Sequence, residues 1–208
     1  GDYVAEKRYN GLHEIAEILE ALHEVGGNGI IVPASWSMHS NRLLPMQSPR
    51  SPEWDFKEVS ESLKFLDKVA GETHTKVYLE PLCSYQDYMI NLLADSRRYI
   101  DENNLQNVEV IADFYHMNME EDDMAAPLHE QKEKLGHVHI ADNQRYQPGS
   151  GQIDYVKPFT QLYKDDYKGW IVYECRVRAN DPEKAYKDSL KFIRTSLDEA
   201  KKNALVNN

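Results

Sequence analysis

The chain has 208 residues, 41% of them hydrophobic, which is enough for a sizeable core. Its charge is acidic, 24 Lys and Arg against 35 Asp and Glu for a formal net charge of −11. Nucleic-acid backbones and anionic membrane surfaces both need clustered basic residues, so neither is expected as a partner. Two cysteines, Cys83 and Cys175, imply no disulfide framework and point to a reducing, cytoplasmic setting. No apolar run approaches the ~20 residues of a membrane span, and no signal peptide is recognised at the start. The first residue is Gly, not Met, so a processed or cropped start is expected.

In chain order, residues 8–25 place Leu12, Ile15, Ile18, Leu19 and Leu22 at helical spacing, with Gly26 and Gly27 as the stop. Ile30-Ile31-Val32 reads as a short strand closed by Pro33, with Trp36, His39 and Asn41 in the loop beyond. Residues 37–53 are rich in Ser, Pro, Asn and Arg and read as a long loop, of a length that is usually functional or mobile. Asp55 is the expected N-cap of a helix through Phe56, Val59, Leu63, Leu66 and Val69. A strand over 76–80, a helix over 85–102 and a strand over 108–113 follow. Then come a helix around 127–135, a strand over 137–141, a helix over 155–162, a strand over 170–174 and a closing amphipathic helix over 181–201. The Asn-rich tail is expected to fray.

Five strand–helix alternations call for a parallel sheet with crossover helices. Four of the strands end in an ionisable residue: Glu80, Asp113, His139 and Glu174. Their separations suit one βα unit each, so neighbouring strands would each bring one group to the same rim. In a βα barrel the catalytic groups sit at that carboxyl rim. The fold class is therefore read as α/β, of the (β/α) TIM-barrel type, in one partial-barrel domain spanning residues 1–208. A doubly wound open sheet is the runner-up, but no Gly-rich phosphate turn follows the first strand.

Two Glu, one Asp and one His make an oxygen-rich set with one nitrogen, which suits Mn²⁺, Mg²⁺ or Co²⁺ better than structural zinc. Three carboxylates at close range raise one another's pKa unless a cation intervenes. The competing expectation is that these acids merely cap the helices that follow. His137 shares the inward parity of His139 and is assigned a supporting or core place. Asn118 and the run 120–123 are read as loop capping and solvation, and Trp36 and His39 as either pocket wall or loop packing. Gly149 and Gly151 are expected to supply positive φ in a tight turn. Cys175 is assigned no catalytic role.

Glu80-Pro81-Leu82, Asp113-Phe114-Tyr115-His116-Met117-Asn118, the His137-Val138-His139 pair with Arg145 six beyond, residues 149–154 and Glu174 carry a resemblance. The chain resembles the xylose-isomerase-like sugar isomerase/epimerase family from about residue 12 to 195. It is most similar to the ketose 3-epimerases of the tagatose/psicose type, with hydroxypyruvate isomerase nearby. The resemblance implies that Glu80, Asp113, His139 and Glu174 ligate a divalent metal and that Glu80 and Glu174 are the acid–base pair. His116 and Arg145 would hydrogen-bond a sugar near C1 to C3. The implied reaction is removal of a proton α to a ketose carbonyl through a metal-stabilised enediolate, with 3-epimerisation favoured.

Two departures stand out. Gln86 occupies the place where the close epimerases tend to carry a second Glu. The family's barrel has eight strands and this chain supplies five, so the first three are expected to be missing, which leaves two apolar edges. A cut-down chain, a misplaced start or closure by a partner would each account for that, and a homo-oligomer is expected. The competing functions are a lyase of the same family type, acting on an inosose or a dehydroshikimate-like acid, and an inactive fragment binding a metal or a partner. An abasic-site phosphodiesterase would need more His ligands and a basic face.

Overall fold

The computed structural model describes residues 1–36, 38 and 48–206. His39 and Asn41 lie outside the described residues. The chain divides into two compact units, Gly1–Ile111 and Ala112–Asn208.

In the first unit, helix α1 (Ala5–Val25) ends at Gly26, whose φ of 75° is the left-handed conformation that glycine adopts without strain. The N–H groups of Gly26 and Gly27 return to the carbonyls of His23 and Leu22, closing the last turn. Strand β1 (Gly29–Pro33) follows, then α2 (Pro52–Glu72), β2 (Lys76–Glu80) and α3 (Leu93–Glu102). Strands β1 and β2 pair in parallel, Ile30 opposite Val77 and Pro33 opposite Glu80. β2 pairs in parallel with β3 (Val108–Asp113), Val77 opposite Val108. Val77, Leu79, Val110 and Ile111 are fully buried, as expected of parallel strands covered on both faces. Helix α2 supplies much of that cover through Val59, Leu63, Leu66 and Ala70.

Two expectations for this unit need correction. Ser51, not Asp55, caps α2: its hydroxyl accepts from the Trp54 N–H and Pro52 opens the helix. Asp55 lies inside the first turn, buried, and accepts from Arg50 Nε at 2.7 Å and the Tyr88 hydroxyl at 2.9 Å. Residues 85–92 are not helical either. The Asp87 carboxylate takes the N–H groups of Ser35, Met89 and Ile90, and Leu82 N–H donates to the Ile90 carbonyl. Those bonds compete with a helical ladder, so α3 begins only at Leu93, with Asp95 accepting from the Leu92 N–H.

In the second unit, α4 (Phe114–Glu120), α5 (Ala126–Gln131), β4 (Leu135–Ile140), α6 (Val156–Lys164), β5 (Trp170–Tyr173) and α7 (Pro182–Val206) follow. The short helix α4 was not foreseen. Helix α5 stops before the expected Leu135, which already belongs to β4. Asp123 accepts from the Ala125 and Ala126 N–H groups in the loop that leads into α5, in keeping with the loop capping expected for that acidic run. β4 and β5 pair in parallel, His139 opposite Val172 and Ile140 opposite Tyr173. Helix α7 buries Ser189, Ile193, Ser196, Ala200 and Ala204, a mostly small-residue stripe at helical spacing. It continues to Val206, past the expected end at 201.

The strands follow one another in the sheet in chain order, β1-β2-β3-β4-β5. A doubly wound sheet reverses its order at a switch point, so the (β/α) barrel-type reading stands. Every βα connection then leaves from the same ends of the strands, which is where Asp113, His139 and Glu174 are found.

Phe159 is fully buried, 5.7 Å centre-to-centre from Phe114 and 5.8 Å from Tyr155. Phe159→Ala is expected to lower unfolding free energy by about 3–5 kcal/mol in urea titration. A loss below about 1 kcal/mol would mean that this ring does not anchor α6.

Candidate active site

Asp113 is the last residue of β3, and it does two things. Its Oδ1 accepts from the Tyr115 N–H at 2.8 Å, the capping role any strand-ending acid can play. Its Oδ2 faces the other way, 3.8 Å from His116 Nε2, 4.0 Å from His139 Nδ1 and 2.5 Å from Arg145 Nη1. Capping and clustering therefore coexist in one carboxylate.

His139 is brought in by β4, and Glu174 by the residue just after β5, whose N–H donates to the Ile140 carbonyl. His139 Nδ1 and Glu174 Oε2 are 2.6 Å apart. Arg145 Nη2 reaches the same Glu174 oxygen at 2.5 Å, so one guanidinium bridges Asp113 and Glu174. The guanidinium also lies over the Tyr115 ring, 4.6 Å from its centre. Asp113, His116 and His139 are buried, whereas the Glu174 side chain is 46% exposed and open to a small molecule. Of the sequence-predicted residues, the second unit thus brings together Asp113, His116, His139, Arg145 and Glu174. Glu80 stands at the end of β2 in the first unit, also buried.

Residues 4–196 match the family described as the xylose isomerase-like TIM barrel. A 3-dehydro-D-guloside 4-epimerase of Escherichia coli (strain K12) is 60% identical over 195 residues, covering 94% of this chain and 74% of that protein. The chain belongs to the xylose isomerase-like TIM barrel family. A D-psicose 3-epimerase of Enterocloster bolteae is 30% identical over 113 residues, covering 54% of this chain and only 38% of that protein. The crystal structure of 3-keto-D-glucoside 4-epimerase from E. coli, in its apo form, superposes with a TM-score of 0.91 at 60% identity. It too is covered over 94% of this chain and 74% of its own. Within the family the chain stands among sugar epimerases, which makes it an isomerase.

The donor chemistry of this xylose isomerase-like site suits a divalent cation. Asp113, His139 and Glu174 each offer a ligand atom, and these lie within 4.8 Å of one another. That is roughly twice a metal–ligand bond of ~2.1–2.5 Å. Two carboxylates with one imidazole favour a hard or borderline ion.

Burial raises Glu174, but the His139 hydrogen bond and the Arg145 charge outweigh it and hold the carboxyl down to about 2. Burial lowers His116 to about 3, helped by the Arg145 charge. Burial and the neighbouring His139 lower His137 to about 4. Burial works against the charge of Arg145, yet Asp113 and Glu174 raise its pKa further.

Tyr115 and Asp142 were given no role from sequence. Tyr115 could have been flagged as the aromatic residue inside the Asp113–Asn118 motif. Asp142 could have been flagged as an acid at an apolar strand end ahead of a Gly-rich turn. Gly149 has the expected positive φ, 88°. Gly151 is required for space instead: a Cβ there would run into the side-chain oxygens of Asp142 and Asn143.

The His116 ring is expected to stay neutral down to about pH 4 in long-range ¹H–¹⁵N spectra. An ordinary midpoint near 6.5 would contradict the burial account. Because the folded pKa is the lower one, the contribution of this group to stability is complete above about pH 6.5. It is lost as pH falls from there toward about 3, where the unfolded chain holds the extra proton.

Proposed function

We propose that the chain is a divalent-metal-dependent sugar epimerase that removes and returns the proton on a carbon next to a ketone. The observation that carries this reading is the cluster of Asp113, His139, Glu174 and Arg145, all in contact distances of 2.5–4.0 Å. Asp113, His139 and Glu174 would hold the ion, with Glu80 as the fourth ligand by its place in the family motif. The ion, when bound, supplies positive charge that stabilises the enediolate's oxygens as the α-proton leaves.

The chain's own residues do the rest. Glu174, kept ionised by His139 and Arg145, is in the form that accepts a proton, and its exposure lets a sugar reach it. Glu80 is assigned the opposite face of the sugar, so that removal by one carboxylate and return by the other inverts the carbon. Arg145 donates to the ketone oxygen and stabilises charge building there. The neutral His116 ring keeps one N–H to donate and one nitrogen to accept, as a sugar hydroxyl requires.

A ketone at C3 acidifies the C4 proton, and a ketone at C2 acidifies the C3 proton. Epimerisation at C4 of a 3-keto glycoside and at C3 of a ketose are thus one proton transfer on differently seated sugars. The 60% identical 4-epimerase favours a 3-keto glycoside as the substrate class. The similarity to D-psicose 3-epimerase supports ketose 3-epimerisation as the second reading.

Glu174→Gln is expected to cut kcat by about 10²- to 10⁴-fold and to lower bound Mn²⁺ measured by elemental analysis. Chelation should abolish activity and added Mn²⁺ restore it. A variant with near-normal turnover, or full activity after exhaustive chelation, would refute the assignment.

A further inference from the structure

The loop from β4 to α6 carries Arg145, and Arg145 is held there in an unfavourable backbone conformation. Its φ is 59°, the left-handed region, where a non-glycine residue is disfavoured. Strain of this kind persists only where the surroundings over-determine it. Here the main chain is gripped on both sides. The Arg145 N–H donates to the Asp142 carbonyl at 2.8 Å, and the Arg145 carbonyl accepts from the Arg176 N–H at 2.8 Å. The Asp142 N–H donates to the Tyr146 carbonyl at 2.9 Å, closing the turn.

Behind that turn sits the Asp142 carboxylate, 1% exposed. Oδ1 accepts from the Asn143 N–H at 3.0 Å and the Ile153 N–H at 3.2 Å, and Oδ2 accepts from the Gly149 N–H at 2.9 Å. One side chain thus ties the start of the loop to its middle and its end. A buried carboxylate is costly unless it is well satisfied. Three main-chain donors aimed at one carboxylate are what allow it to remain there.

We propose that Asp142 is the positioning residue for Arg145: its buried carboxylate gathers the Asn143, Gly149 and Ile153 N–H groups and so fixes the turn from which the guanidinium reaches Asp113 and Glu174. This rests on the reading of Arg145 as a substrate-holding group. Asp142 itself touches no reacting atom. It acts by keeping the guanidinium at 2.5 Å from both carboxylates, and a displacement of about an ångström there is enough to cost about 10²-fold in rate.

The test is a double-mutant cycle on the full chain, with methyl 3-dehydro-D-glucopyranoside and D-fructose as probes and epimerisation followed by NMR. Asp142→Ala is expected to lower kcat/KM by about 10- to 100-fold alone, and by less than about threefold further in an Arg145→Ala background. Asp142→Asn keeps one acceptor oxygen but turns an NH₂ toward the Gly149 N–H, and should fall between wild type and Asp142→Ala. The second readout needs no substrate: the Arg145 Nε–H resonance should be sharp in the wild type and broadened in Asp142→Asn.

Full additivity of the Asp142 and Arg145 losses, or an unchanged Arg145 resonance in Asp142→Asn, would overturn the positioning role. If Arg145→Ala alone leaves epimerisation of both probes untouched, or the wild type turns over neither, the substrate-holding reading fails. The resonance then still decides whether Asp142 places Arg145. Should Asp142→Ala fail to fold by circular dichroism, Asp142→Asn carries both readouts.

Discussion

Two carboxylates that meet beside one imidazole need a positive charge between them. Asp113 and Glu174 are delivered by different strands, and Oδ2 of the one and Oε2 of the other are both 2.5 Å from the same guanidinium. Without a counter-charge, like charges this close in a partly buried site would drive one carboxyl to hold its proton. Arg145 contributes positive charge at both carboxylates, beside the divalent cation proposed for the same site, and it is carried on the loop around Asp142. The positive φ of Arg145, the buried Asp142 carboxylate and the cramped Gly151 all belong to that loop.

Much of this was legible in the sequence because parallel strands buried on both faces are nearly uninterrupted apolar runs. The strand over 108–113 could be placed to the residue, and a His or an acid ending such a run is conspicuous. Convergence of Asp113, His139 and Glu174 followed from the spacing of one βα unit between strand ends. The helices were less legible where side chains compete for the backbone. Asp87 captures Met89 and Ile90 N–H and denies the first two turns of the expected 85–102 helix. Asp55 has the composition of a cap, but Ser51 reaches the Trp54 N–H first and leaves Asp55 to bind Arg50 and Tyr88. Asp142 and Tyr115 went unassigned because their partners are main-chain N–H groups and a guanidinium face, which no periodicity reveals.

Under the proposed proton transfer, one acid–base pair would serve different sugars, since it acts on whichever proton lies next to a ketone. On the proposed reading, a ketose and a 3-keto glycoside would differ in where the carbonyl sits relative to Arg145 and His116. Buried His116, kept neutral by its surroundings, can donate and accept at once. Glu174 is the exposed member of the cluster, and its pairing with His139 and Arg145 keeps it ionised.

The most direct measurement is turnover of a 3-keto glucoside by the metal-loaded protein in D₂O, with the position of deuterium read by NMR. Proton removal by one carboxylate and delivery by another predicts a product carrying one solvent deuterium at the inverted carbon and none elsewhere. An inverted product without deuterium, or deuterium at carbons remote from the ketone, would contradict the account.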